Sequence, residues 1–207
     1  VSYQLFTDGG SIDHKIASAA CILTHPDLDQ PIRLVSYLGF GTNNEAELFG
    51  VLMGFALVVA RNKSGERDDL LWVADSDYSL KGLTEYIHGW IRNGWKTSSK
   101  SPVKNQGLWK AIYSLSRKLN LKTLHVRGHT GHPENELCDY AVNWIRNQKA
   151  IDPAVLELDS VVIDVGNEDQ EWRVFDGQDW MIELREGISP EKIGERMILR
   201  LASLAQD

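Results

Sequence analysis

Cysteine is almost absent from this chain. Cys21 and Cys138 are the only two in 207 residues. That excludes a disulfide framework and a cysteine-built zinc site, and it points to a reducing, cytoplasmic setting. Long hydrophobic runs are lacking as well. The longest, LFGVLMGFALVVA, stops at 13 residues, short of the roughly 20 that cross a bilayer, so no membrane association is expected. The first residues alternate like a strand and do not resemble a secretory signal. Internal repeats and low-complexity linkers are missing too. The most informative absence is local: no Asp or Glu occurs in the 48 residues from Tyr86 to Pro133, where nine Lys and Arg fall. The whole chain carries −7, and from Ile151 onward it holds 14 acids against 5 bases. An acid-free basic block in an acidic protein is the footprint of a surface that meets phosphates, or else of a solvated basic face.

What is present is ordinary for a globular protein: 43% hydrophobic and 25% charged residues, enough for one well-packed domain and a small appendage. Residues 1–8 alternate as a strand that stops on Asp8 at the turn-like DGG. IASAACILTH and PIRLVSYLGF follow as strands. TNNEAELFGVLMGFALVVA opens a helix through a capping box, with Thr42 at the cap and Glu45 three residues on. Its buried stripe is Leu48, Val51, Leu52, Phe55 and Val59. LLWVAD is a fourth strand ending on Asp75, helices flank the Trp-rich basic stretch, KTLHVRG is a fifth strand, and Pro133 starts another helix. This order describes an α/β fold, a five-stranded mixed sheet flanked by helices. Asp152–Pro153 marks a boundary between residues 1–150 and a small acidic α+β extension, 151–207. In the extension DSVVIDV, EWRVFD and DWMIELRE are expected as short strands, the last two joined by a DGQD hairpin turn. A helix capped by Ser189 follows. An acidic extension repels phosphates, so packing on the core, protein contacts or self-association are its expected roles.

The segment HVRGHTGHPENELCDYA, 125–141, crowds three histidines, several acids and Cys138 together, but without a CxxC partner it is a poor zinc site. Four acids from separate elements call for a common explanation: Asp8 and Asp75 after strands, Glu47 at the edge of the helical stripe, and Asp139 on the last core helix. Converging carboxylates repel one another unless a cation holds them, and hard oxygen donors favour magnesium or manganese. Two such ions about 4 Å apart are suited to hydrolysing a phosphodiester.

FTDGGS, TNNEAEL, ADSDYSLKG, YIHGWIRNGWKTSSKSPVKNQGLW and VRGHTGHPENELCDYA resemble, in order and spacing, the type 1 ribonuclease H family over residues 1–148. The resemblance implies a ribonuclease H-like fold. It also implies hydrolysis of the RNA strand of RNA/DNA hybrids by two-metal-ion catalysis, leaving 5′-phosphate and 3′-hydroxyl ends. Two Mg2+ ions, or Mn2+, would be held by Asp8, Glu47, Asp75 and Asp139, with Asp8 bridging. His129 would assist proton handling or product release from a mobile loop, and Glu136 would help the product leave. Asn43 and Asn44 would meet 2′-hydroxyls in the minor groove. Thr42 and Asn105 would grip a DNA phosphate. Trp90, Arg92, Trp95, Lys96, Ser98, Lys100 and Lys104 would form the basic protrusion along the DNA strand, although Trp95 fits a core position equally well. His125 is expected to be structural and His132 to start a helix.

Three features depart from the family pattern. The loop after Asp8 is short, Asp77 stands where Gln is common, and Phe40 stands where some relatives have a phosphate-binding Arg. Two alternatives stay open on the sequence: a non-catalytic hybrid-binding protein, and another nuclease of the same superfold. The intact acid quartet weighs against the first, and TNNEAEL with the basic protrusion against the second.

Overall fold

A computed structural model of the chain describes residues 2–62, 64–127, 131–151, 162–165 and 171–204. Among the described residues the centre is one sheet of seven strands in the order β5-β4-β1-β2-β3-β7-β6. These are β1 Tyr3–Ile12, β2 Ile16–Thr24, β3 Ile32–Gly39, β4 Asp68–Ala74, β5 Leu119–His125, β6 Val162–Asp164 and β7 Glu171–Val174. The first three form an antiparallel meander, while β4 and β5 join parallel to β1. The α/β class and mixed sheet are as expected, but the sheet is longer than five strands. Its extra length comes from the C-terminal part of the chain: β7 pairs parallel with β3, and β6 closes the edge antiparallel.

Alternation along β1 explains the two faces of the sheet. Leu5 belongs to one apolar cluster, with α1 (Asn43–Arg61), α4 (Gln106–Ser116) and α7 (Pro190–Leu204). Phe6, its neighbour, belongs to the other, under α5 (Pro133–Ile151) with Cys138, Ala141, Val142 and Ile145. α1 is buried over far more than one stripe, Ala46 and Leu48 through Val58 being enclosed. By length and hydropathy it passes for a membrane span, yet its apolar surface is spent on the sheet and on α4 and α7. The capping box forms as expected: Glu45 N–H donates to Thr42 Oγ1 and Thr42 N–H donates to Glu45 Oε2.

Two sequence expectations need correction. β1 does not end at Asp8. It continues through DGG to Ile12, paired with β2 up to Ile12↔Ile16, and turns at Asp13–His14, both with positive φ. A Gly pair usually marks a turn, whereas here both glycines lie in the strand because helices press on each side of it. DWMIELRE is not a strand either, and DGQD is not a hairpin: Gln178–Arg185 is a helix, α6. Met181 and Leu184, three apart, are its buried pair, and Trp180 stacks on Phe175 at 6.0 Å. Helical spacing to the core outweighs the local alternation.

Candidate active site

The offset that pairs Phe6 with Val73 brings Asp8 level with Asp75. β4 ends at Ala74, so Asp8 lies where its parallel neighbour stops, even though its own strand runs on. The buried hydrogen bond from Trp72 Nε1 to Thr7 Oγ1, 2.9 Å, ties the strands together just before this point. Glu47 arrives from α1, whose backbone lies directly on the strand. A methyl group on Gly9 would sit 2.2 Å from the Ala46 carbonyl carbon and 2.3 Å from Glu47 N, and one on Gly50 would sit 2.9 Å from Asp8 O. Gly9 and Gly50 are the residues that let helix and strand approach closely enough for Glu47 to reach Asp8.

Carboxylate oxygens of Asp8, Glu47 and Asp75 lie within 4.8 Å of one another. Asp8 is only 7% exposed. Burial, and next the Asp75 charge, raise its carboxyl to about 7 against the lowering effect of the Gly9 N–H, which donates to Oδ1 at 2.8 Å. Burial, followed by the charges of Asp8 and Asp75, also pushes Glu47 well above the carboxylate range. Its Oε2 is buried with no hydrogen-bond partner among the described residues. An orphaned buried oxygen in a group of mutually repelling hard donors fits a divalent cation.

Asp139 is not part of this close triad. It projects from α5, its Oδ1 accepts from Asn143 Nδ2 at 3.0 Å, and its charge contributes to the raised carboxyl of Asp8. Arg146, which motif reasoning missed, completes the face. Its guanidinium donates through Nη2 to Asn143 Oδ1 and is coupled electrostatically to Asp8 and Asp139. A methyl group on Gly10 would lie 2.4 Å from its Nη1. A signal was available, since Asn143 and Arg146 follow Asp139 by four and seven positions, the spacing of one helix face.

His129 lies outside the described residues. Glu136 is exposed, and its Oε1 accepts from Gly131 N–H at 3.0 Å, holding the end of the segment that carries His129. His125 pairs its Nε2 with the Asp75 carbonyl oxygen at 3.1 Å, a structural contact. The His132 carbonyl accepts the first bond of α5 from Glu136 N–H. Asp77 opens α2 (Asp77–Lys81) and is matched by Lys81 at 3.0 Å, whose hydrogen bond holds the Asp77 carboxyl below its ordinary range.

Among the expected substrate contacts, Thr42, Asn43 and Asn44 are exposed at the start of α1. Asn43 Oδ1 accepts from Ser11 N–H at 2.7 Å, which fixes it to the end of β1. Asn105 adopts a left-handed conformation, φ 58°, before α4 and donates to Tyr78 Oη at 3.1 Å. Arg92, exposed at the end of α3 (Ile87–Arg92), is followed by Lys96, Ser98, Lys100 and Lys104, all exposed on the segment between α3 and α4. The tryptophans form its base. Trp90 is half-buried against Trp109, ring centroids 5.4 Å apart, and Trp95, with φ 61°, carries Lys110 over its ring at 5.1 Å. Phe40 is 70% exposed, and its carbonyl accepts from Arg185 of α6.

A mixed sheet flanked by helices, with three acids gathered where parallel strands end, defines an α/β protein whose carboxylate cluster is suited to a divalent cation. The sequence profile of RNase H matches residues 1–145, and the chain belongs to that family. It is 46% identical over 98 residues to the ribonuclease H of Treponema pallidum subsp. pallidum, a match covering 47% of this chain and 56% of that protein. The chain spans about half the length of the curated relatives it matches. Among solved structures, it superposes on LC9-RNase H1, a type 1 RNase H with the type 2 active-site motif. The TM-score is 0.59 at 22% identity, covering 70% of this chain and 72% of the other. It also superposes on LC11-RNase H1, solved in complex with RNA/DNA hybrid, with a TM-score of 0.52 at 16% identity, covering 73% and 100%. At these identities the superpositions show the fold.

Proposed function

We propose that the chain is a ribonuclease H: a metal-dependent endonuclease that hydrolyses the RNA strand of RNA/DNA hybrids. The observation that carries this reading is the convergence of Asp8, Glu47 and Asp75 from three elements, with the orphaned Glu47 oxygen among them. Glu47 and Asp75 would hold one divalent ion, Asp139 the other, and Asp8 both. Such ions, when bound, supply Lewis acidity and a water ionised near neutral pH. In the reaction a water oxygen bonds to phosphorus while the bond to the 3′ oxygen breaks. The products carry a 5′-phosphate and a 3′-hydroxyl, the latter taking up a proton.

The protein side chains do the rest. Asn43 and Asn44, exposed on a helix whose position Ser11 fixes, are suited to 2′-hydroxyls in the minor groove. The exposed cations from Arg92 to Lys104 are suited to the phosphates of the DNA strand. His129 is assigned proton transfer to the departing product, and Glu136 the loop that carries it. Mg2+ is the expected ion, with Mn2+ able to replace it, since all the donors are oxygens. Cys21 and Cys138 are free buried thiols, which supports a reducing, cytoplasmic setting. The solved hybrid complex of LC11-RNase H1 supports the hybrid as substrate.

The test is to incubate labelled RNA/DNA, RNA/RNA and DNA/DNA duplexes with the protein and Mg2+, alongside Asp8→Asn. Cleavage confined to the RNA of the hybrid and lost in the variant is expected. Cleavage of duplex DNA, or equal activity in Asp8→Asn, overturns the reading.

A further inference from the structure

The C-terminal elements reach the substrate-facing end of the molecule. Phe175 N–H donates to Val35 O at 2.9 Å and Ser36 Oγ donates to Phe175 O at 2.6 Å, so the chain leaves β7 locked to β3. Gly177 then lies against Leu38 and Ser36, where a side chain would collide at 2.3 Å, and Gln178 covers Gly39. α6 therefore follows the end of β3 toward the start of α1. Its last turn lies between two helix beginnings. Leu184 O would be 3.0 Å from a methyl group on Gly107 in the first turn of α4, and Arg185 reaches the capping box of α1.

Arg185 makes three bonds there. Nη2 donates to Phe40 O at 2.7 Å and to Glu45 Oε1 at 3.1 Å, and Nε donates to Glu45 Oε1 at 3.2 Å. Glu45 is mostly enclosed and divides its oxygens, since Oε2 accepts the Thr42 N–H at 2.8 Å. From the β1–β2 hairpin, Ser11 Oγ donates to Gly41 O at 2.6 Å and Gly41 N–H donates to His14 O at 3.2 Å. Residues 40–45 are thus fastened both from the β1–β2 hairpin and from α6. Thr42, Asn43 and Asn44 stay exposed.

We infer that Arg185 is a positioning residue for the nucleic acid: acting through Glu45 and the Phe40 carbonyl, it fixes the exposed start of α1 that meets the hybrid. The inference rests on the ribonuclease H reading for the identity of the ligand. It gives the acidic C-terminal segment a part in binding without direct contact to phosphate. A charge-assisted contact in which two guanidinium donors share one carboxylate oxygen, on a partly exposed pair, adds little to global stability and much to local geometry.

The experiment compares wild type, Arg185→Ala, Arg185→Lys, Glu45→Gln and the Ala/Gln double variant in the full chain. Steady-state cleavage of an RNA/DNA hybrid, thermal melting, and amide hydrogen exchange of residues 42–46 are measured. Arg185→Ala is expected to raise KM about tenfold, the factor one charge-assisted bond is worth, with kcat and the melting temperature little changed. Exchange at 42–46 should quicken while β4 stays protected. Arg185→Lys should recover part of the loss, and the double variant should be no worse than the worse single one. An unchanged KM with active wild type, or a loss in kcat alone, overturns the inference. So does a KM rise that follows a fall in melting temperature across all variants. If wild type cleaves no hybrid, the functional reading fails and the exchange measurement alone decides the fastening. Unchanged exchange in Arg185→Ala then overturns it.

Discussion

Arg146 rests on Gly10: its Nη1 lies 2.4 Å from where a side chain would begin on that glycine, on the face of β1 that also carries Asp8. On the other face of the strand, Gly9 meets the backbone of Ala46 and Glu47. Two adjacent glycines thus clear the strand for two different helices, and they should respond differently to the same substitution. In Gly9→Ala the methyl group meets main chain that cannot give way, at a cost of about 3 kcal/mol, or roughly 6–12 °C in melting temperature for a chain of this size. Gly10→Ala meets the end of a flexible side chain and should cost about 1 kcal/mol or less. Calorimetry on the two variants checks this, and equal losses would contradict it.

The charge cluster sets a pH dependence whose sign is fixed. In the folded, metal-free protein the Asp8 carboxyl is raised to about 7 from 3.8, and Glu47 moves the same way. Between those values the folded state binds more protons than the unfolded one, so stability falls as pH rises through that window. Metal-free protein should therefore melt lower at about pH 8 than at about pH 5. Asp8→Asn should melt roughly 3–8 °C higher than wild type at the upper pH while losing cleavage by on the order of 10²–10³-fold or more. Mg2+ should stabilise wild type more at the upper pH, where the carboxylates are free of protons. Scans with and without Mg2+ at both pH values decide it; a metal-free protein more stable at the upper pH would exclude this account.

How far the site was legible depends on whether its parts are local. Thr42 and Glu45 were readable as a capping box because the motif spans four residues, and Asp75 because its strand stops beside it. Asp8 reads from the sequence as an acid at a strand end, whereas its strand runs on to Ile12 and only its parallel neighbour stops beside it. DGG looks like a turn unless one knows that α1 presses on Gly9 and α5 on Gly10, and both are long-range facts. Arg146 carries no motif; only its helical spacing from Asp139 pointed to it. The Arg185–Glu45 pair spans 140 residues of sequence, so no local pattern reports it. In α6, alternating apolar letters hid the Met181 and Leu184 spacing, which becomes meaningful only once a core lies on one side.

The basic segment between α3 and α4 should act through charge. Lys96 and Lys100 are exposed, and Lys96 belongs to a bridge with Pro102 that gives the loop its shape. If each contacts one phosphate of the hybrid, each substitution to Ala removes about 0.9 from the slope of log affinity against log salt. The Lys96→Ala/Lys100→Ala double variant should lower the slope by about 1.8 and leave kcat at saturation intact. Binding is measured by anisotropy in an Asp8→Asn background, so that no substrate is consumed. An unchanged slope would mean that this face is merely solvated.

Glu136 and His129 should act on one step. Glu136 Oε1 accepts the Gly131 N–H and so anchors the chain two residues after His129. If His129 carries the proton as proposed, replacing it with Ala should lower kcat by about 10²-fold with KM unchanged. The alkaline and acid limbs of the kcat profile should move as well. Glu136→Ala leaves the imidazole in place and only frees its loop, so its effect on kcat should be smaller, of the same kind, and largest when product release is slow. Because both changes converge on the same imidazole, the double variant should be no worse than His129→Ala alone. Single-turnover and steady-state rates for the three variants measure this. Additive losses would show that Glu136 works independently of the histidine, through Asp139 on its own helix.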